Sequence, residues 1–295
     1  MTGAVQFGGE LPVRHEGAAV SVLPVPYDAT TSWMGGTRNG PEAILAASRQ
    51  LELFDEELEC EPFRVGLETL PPLEPDARGP EFMVEAVRKA VSAELARDRF
   101  VLTLGGEHSI TVGCVQAYLD KYPRLEVLQL DAHADLRDSY QQSSYSHACT
   151  MRRIIDRCRV VGVGIRAWSL EEHVFMKERG IEPFSMKRIH GRHDWIESVV
   201  GELGPEVYLT VDMDAFDPSC CPGVGTPEPG GLSWSQVNDL LLALGRRCRI
   251  VGADIVECMP IPGQAVTEFL AARLAYRIVG IAFLDKLAKS YDHCS

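Results

Sequence analysis

The sequence predicts an α/β protein, a three-layer α/β/α arrangement around a mostly parallel central sheet. Short apolar runs rich in β-branched residues, of the length of buried strands, alternate with helix-like stretches along the chain. No low-complexity linker, repeat or abrupt change of composition interrupts the 295 residues, so a single domain over 1–295 is expected. A hydrophobic content of 45% is enough for a substantial buried core.

The expected strands are AVSVLPV (19–25), FVLTLGG (100–106), EVLQLDAH (126–133), RVVGVGI (159–165), EVYLTVDMD (206–214) and RIVGADIVE (249–257). Gly40-Pro41 opens a helix running through EAILAASRQLELF, because proline is tolerated in a first turn. An amphipathic pattern follows from Pro80 to Asp98. Further helical patterns cover Ser146 to Asp156, Leu170 to Arg179, Asp194 to Leu203, Ser233 to Arg247 and Ala265 to Tyr291. In an open sheet of this kind ligands collect outside the carboxyl ends of the strands, which is where the chemistry is expected.

Composition excludes several classes. Asp and Glu number 42 against 29 Lys and Arg, so a net charge of −13 makes nucleic acid and anionic lipid poor partners; it hints at cationic ones, although acidity of this size reads first as a solubility device. The nine cysteines are odd in number and lack CxxC spacing, so they are read as reduced thiols, with Cys220 and Cys221 as packing residues. The N-terminal stretch MTGAVQFGGELPVRHE lacks a charged region followed by an apolar one, and no run is long enough for a membrane span. A cytoplasmic location is expected.

The strand ends carry ligand chemistry. Asp131, His133 and Asp135 follow the run Glu126 to Leu130, and positions i, i+2 and i+4 of an extended segment face one way. The strand VYLTV ends in Asp212 and Asp214, and VLTLGGEH brings His108 just past its end. Each residue alone reads as a cap, a turn residue or a partly buried histidine. Together, four carboxylates and two imidazoles at three strand ends would repel and desolvate one another unless cations held them, and two divalent ions match the charge. An oxygen-rich set without thiolate suits manganese, while zinc, iron and cobalt fit the same atoms.

The segments GGEHS at 105–109, DAHAD at 131–135 and DMDAFDP at 212–218 resemble the ureohydrolase family of arginases and agmatinases, in the family's order. The likeness extends to GTRNGPEAI (36–44), GVGTPEPGGL (223–232) and DIVECMP (254–260), so it covers most of the chain. It implies the arginase-type α/β/α fold and two Mn2+ per subunit. His108, Asp131, Asp135 and Asp212 would surround one ion and His133, Asp131, Asp212 and Asp214 the other, with Asp131 and Asp212 bridging. Water between two such ions loses a proton more readily than bulk water and would attack the guanidinium carbon, oriented by Asp135. The resemblance makes His147, in SYSHAC, the proton shuttle, a task suited to imidazole. It has Glu257 pair with the guanidinium and Thr226 add a polar contact.

Arginases carry an Asn-bearing stretch ahead of the shuttle histidine for the amino-acid head of arginine, where this chain reads QQSSYSHA. Agmatine has no carboxylate to bind, and an acidic entrance favours its distal ammonium, so a small cationic guanidino substrate, agmatine first, is expected. Arginase, guanidinobutyrase, formiminoglutamase and aminopropyl-agmatine ureohydrolase are the alternatives within the family. Outside it stand a one-zinc deacetylase of the same general fold and a noncatalytic metal-binding protein. The resemblance also implies a homo-oligomer, a trimer or hexamer. His173, His190 and His193 read as surface groups, Gly35 and Gly36 as shaping a loop near the site entrance, and GVGIR (162–166) lacks the dinucleotide fingerprint.

Overall fold

A computed structural model describes residues 5–10 and 17–291. The N-terminal stretch read above therefore lies largely outside the described residues. Seven strands form one sheet: β1 (Val20–Val25), β2 (Leu67–Thr69), β3 (Phe100–Gly105), β4 (Glu126–Leu130), β5 (Val160–Val163), β6 (Glu206–Asp212) and β7 (Arg249–Val256), in the order β2-β1-β3-β7-β6-β4-β5. Every pairing is parallel. The six expected strands all form, and β2 is the addition. Three residues, LET, are too short to show a period, and β2 exists through its register with Val20, Ser21 and Val22 on β1.

Alternate residues of each strand feed two cores. Leu102, Leu104, Leu128 and Leu130 pack with α7 (Trp195–Gly201), α8 (Trp234–Arg247) and α9 (Val266–Ala282) on one face. Val101 and Val127 pack with α2 (Pro80–Leu95) and α3 (Thr111–Lys121) on the other. Gly252 of β7 leaves room for Tyr118 of α3, since a Cβ there would stand 2.1 Å from the ring. The Tyr118 hydroxyl accepts the Val101 N–H at 3.1 Å, which locks α3 to β3.

Three helical expectations need correction. The helix opening at Gly40, α1 (Gly40–Ser48), ends at Ser48 rather than running to Phe54. Asp55 accepts the N–H groups of Glu57 and Leu58 and two hydrogen bonds from the buried Arg277 of α9, which hold residues beyond 50 in a turn. The stretch from Ala265 to Tyr291 is two helices, α9 and a last one at Leu284–Tyr291, broken at Phe283. Between Ser146 and Asp156 only a 3-10 turn, His147–Cys149, and a short helix, Thr150–Ile154, form. The helix Thr111–Lys121 was not singled out from the sequence, because its small residues Gly113, Cys114 and Ala117 give a weak apolar stripe. Leu170–Arg179 forms as expected, opened by a Ser169–Glu172 capping box.

In sheet order β3, β7, β6 and β4 are neighbours, although β4 follows β3 in sequence. The reversal of chain direction in the sheet at this place leaves a crevice at the carboxyl ends of these four strands.

Candidate active site

Four adjacent strand ends deliver the candidate residues. His108 follows β3, Asp131 to Asp135 follow β4, Asp212 ends β6 and Glu257 follows β7. Gly106 lets the chain after β3 pass the end of β1, where a Cβ would lie 2.0 Å from the Tyr27 carbonyl oxygen. The expected extended run through Asp135 does not occur. β4 ends at Leu130, and Asp135 takes a left-handed φ of 52°, so a turn rather than strand alternation brings the three side chains together. Glu257 has a φ of 60°. Non-glycine residues in this region mark strain held by the surrounding structure, and it is held here at two functional candidates.

Nδ1 of His108 lies 3.1 Å from Asp131, 3.2 Å from Asp135 and 3.4 Å from Asp212. Nδ1 of His133 lies 2.9 Å from Asp214 and 3.8 Å from Asp131. Two groups able to hold a cation result, His108–Asp131–Asp212 and Asp131–His133–Asp214, and they share Asp131. Asp212 belongs to the first, and its other oxygen accepts the Asp214 N–H at 2.9 Å. The donor set fits divalent cations: His108 Nδ1 is buried without a hydrogen-bond partner and faces three carboxylates, and no thiolate joins the set.

Electrostatics without cations show the same demand. Burial raises the carboxyls of Asp131 and Asp212, and burial with the Asp131 charge pushes Asp135 up to about 7. Burial opposes the charged form of His133, yet Asp214 and Asp131 outweigh it and raise the ring to about 11. Burial also works against Asp214, but His133 and the Ala132 N–H hold it below the usual carboxylate range. Carboxyls pushed toward their protonated form beside imidazoles held toward their charged form carry protons that a bound cation would displace.

The other candidates converge on the same place. A cavity of about 300 Å3 runs from buried His108, Asp212 and Asp214 out to Trp33 and Trp168, which are 77% and 41% exposed. His147, Thr226 and Glu257 all line it. Burial and the charge of Glu107 raise the Glu257 carboxyl, one oxygen of which accepts the His108 N–H at 2.7 Å. Burial pulls His147 down to about 4, so its ring is neutral around neutrality. The Thr226 hydroxyl donates to Asp214 at 3.2 Å, leaving its oxygen as an acceptor.

A model of the arginase family matches residues 18–280. The chain belongs to the arginase family of ureohydrolases. It is 41% identical over 288 residues to an N(1)-aminopropylagmatine ureohydrolase of Thermus thermophilus, covering 97% of this chain and 98% of that one. It is 34% identical over 292 residues to the agmatinase of Pyrococcus horikoshii, covering 94% and 96%. Among solved structures, the agmatine ureohydrolase of Thermoplasma volcanium superposes with a TM-score of 0.85 at 32% identity, covering 92% of each chain.

Several residues of this ureohydrolase site were not singled out from sequence. Arg166, within the GVGIR stretch, donates to the carbonyls of Asp214, Phe216 and Glu228 and so fixes the wall of the cavity. Asp254 is a wholly buried carboxylate in the middle of an apolar strand, a signal readable from sequence, and it accepts from Thr111, Tyr208 and Thr210. Thr30 and Glu107 meet at His147 only through folding. His173, His190 and His193 are exposed, as expected, and Gly36 adopts a φ of 129° beside the entrance residues Trp33 and Met34. Among the described residues no helix is long and apolar enough to cross a membrane.

Proposed function

We propose that this ureohydrolase removes urea from an agmatine-type guanidine, N(1)-aminopropylagmatine ahead of agmatine itself, with two Mn2+ per subunit. The observation that carries it is the pair of His/Asp groups sharing Asp131 at the floor of a cavity that also presents Glu257. The order of the two substrates rests on the names of the relatives, since 41% identity to aminopropylagmatine ureohydrolase exceeds 34% to agmatinase. It moves the emphasis from agmatine, which sequence favoured, to a longer polyamine chain. Neither molecule has a carboxylate, so the absence of an arginine-binding Asn suits both.

His108, Asp131, Asp135 and Asp212 would hold one ion, and His133, Asp131, Asp212 and Asp214 the other. When bound, such ions would supply acidified water and a positive field for the developing charge. The chain's own groups do the rest. The second oxygen of Glu257 accepts a charge-assisted hydrogen bond from the guanidinium and aims its carbon at the floor. Asp135 accepts a hydrogen bond from the attacking water. As the carbon–nitrogen bond breaks, His147 gives a proton to the departing amine, and water oxygen remains in urea.

The distal end would meet the outer part of the cavity, which Glu228, Trp33 and Trp168 line, and among the described residues no hydrogen bond or ion pair is made by the Glu228 carboxylate. These groups suit an ammonium-bearing tail. A homo-oligomer, a trimer or hexamer, belongs to the same reading, and gel filtration tests it. The functional test is urea release by manganese-loaded protein from aminopropylagmatine, agmatine, arginine, guanidinobutyrate and formiminoglutamate, with EDTA-treated controls. Metal-dependent urea, fastest from aminopropylagmatine, is the expected result. Fastest release from arginine or formiminoglutamate would overturn the substrate reading, and no urea from any would overturn the function.

A further inference from the structure

Thr30 lies half-buried on the loop after β1, between the wholly buried Glu107 and the ring of His147. Its N–H donates to Oε2 of Glu107 at 2.6 Å, and its hydroxyl donates to Oε1 at 2.7 Å. The Ser109 hydroxyl donates to Oε1 as well. On its other side the same Thr30 oxygen accepts the main-chain N–H of His147 at 3.0 Å and lies 3.4 Å from ring Nδ1. A threonine hydroxyl has one hydrogen, and here Glu107 takes it. Toward the imidazole Thr30 is therefore an acceptor, and an Nδ1–H is what satisfies it. The Ser146 hydroxyl, 3.3 Å from the same nitrogen, is able to donate or to accept there and so is compatible with either tautomer. Nε2 faces the Ser32 hydroxyl at 3.4 Å on the open side of the ring.

We propose that Thr30, backed by Glu107, is a positioning residue that holds the His147 ring with its hydrogen on Nδ1 and the Nε2 lone pair toward the cavity. The inference rests on the reading of His147 as the proton carrier and adds which nitrogen carries the proton. Nε2 takes a proton from water, the ring becomes a cation whose Nδ1–H still points at Thr30, and Nε2 gives the proton to the leaving amine. The ring is then neutral again and no net proton is consumed by the protein. An acceptor behind the far nitrogen fixes both the tautomer and the angle of the ring, as orienting partners of imidazoles do elsewhere.

Valine matches the shape of threonine and removes the acceptor. In metal-loaded protein, Thr30→Val is expected to lower kcat roughly 10- to 100-fold, the range for loss of an orienting partner. KM and metal content should stay near wild type, because Thr30 touches neither the guanidinium nor the metal groups. Thr30→Ser restores the hydroxyl and should recover at least about a third of kcat. The double variant Thr30→Val/His147→Ala should be no slower than His147→Ala alone, because a residue acting through His147 has nothing left to position. Wild-type kcat in Thr30→Val, failure of serine to rescue, or additive losses in the double variant would overturn the proposal. A crystal structure of Thr30→Val gives a readout independent of turnover. The His147 ring should leave its place against residue 30, and an unmoved ring overturns the proposal. Should the wild type release no urea from any guanidine, the functional reading fails while this structure still decides the role of Thr30.

Discussion

Nε2 of His108 lies 2.9 Å from the hydroxyl of Thr210, and that hydroxyl donates at 2.6 Å to the buried Asp254. Because Thr210 gives its one hydrogen to Asp254, it accepts from Nε2–H of His108, and the lone pair of His108 is left on Nδ1. Nδ1 is the atom that faces Asp131, Asp135 and Asp212. A carboxylate buried in mid-strand thus selects the tautomer of a proposed metal ligand through one intervening hydroxyl. Thr210→Val is expected to weaken metal affinity by roughly 10- to 100-fold while urea release recovers at saturating metal. Calorimetric metal titration checks this, and an unchanged affinity would break the link.

His147 and Asp131 should separate in their effects. Asp131→Ala removes the residue shared by both cation-holding groups, so metal and activity are expected to be lost together. His147→Ala should keep its metal and lose turnover by roughly 100-fold or more, the range for a proton-transfer group. Metal analysis beside urea assays reads the difference, and equal metal loss in both variants would sink the shuttle role.

Glu228→Gln tests the distal end of the substrate. Neutralising this cavity-lining residue should raise KM for aminopropylagmatine by about tenfold or more, the scale of one charge-assisted hydrogen bond. kcat should change little, since Glu228 has no part in the proposed proton transfers. An unchanged KM places the distal ammonium elsewhere.

The pH dependence of the metal-free protein has a definite sign. Asp135, held at about 7 by burial and Asp131, keeps protons that an unfolded aspartate loses near about 4. His133, raised to about 11 against burial by Asp214 and Asp131, keeps a proton that an unfolded histidine loses near about 6.5. In both windows the folded state binds more protons, and His147, lowered to about 4, opposes this only between about 4 and 6.5, so stability falls as pH rises from about 6.5 toward 11. The EDTA-treated protein is expected to melt lower at pH 8.5 than at pH 6, and added Mn2+ should raise Tm more at pH 8.5. Calorimetry at the two values decides it, and a larger metal effect at pH 6 would contradict the assignment.

Arg277 is a stability residue far from the chemistry. Only 1% exposed, it bonds both oxygens of Asp55 and the side chain of Asn238, tying α9 and α8 to the turn after α1. Arg277→Ala leaves the buried Asp55 with two main-chain N–H groups and Arg273 at 3.9 Å but without its main cationic partner, at a cost of about 3 kcal/mol. In a protein of this size that lowers Tm by roughly 10 °C. A thermal melt checks it, with metal content expected to stay at the wild-type level.

Most of the sheet was legible because buried parallel strands are continuous apolar runs, as in VLTL, EVLQL and VYLTV, and the six proposed ligands were legible because they sit within a few residues of those runs. The sequence alone established the α/β class, the family resemblance and the identities of His108, Asp131, His133, Asp135, Asp212 and Asp214. It did not show the strand order that sets β3, β7, β6 and β4 side by side, because crossover length does not record which strand is passed. Nor did it show β2, which has no pattern of its own, or the end of α1, where the turn that follows is held by Asp55 and by Arg277, 222 residues beyond it. Only the tertiary structure joined Thr30 to Glu107 and His147, and Asp254 to Thr210 and His108. Such contacts depend on single hydroxyl hydrogens placed by packing, and a hydrogen bond between residues this distant in sequence leaves no periodicity for a reader of the chain to find.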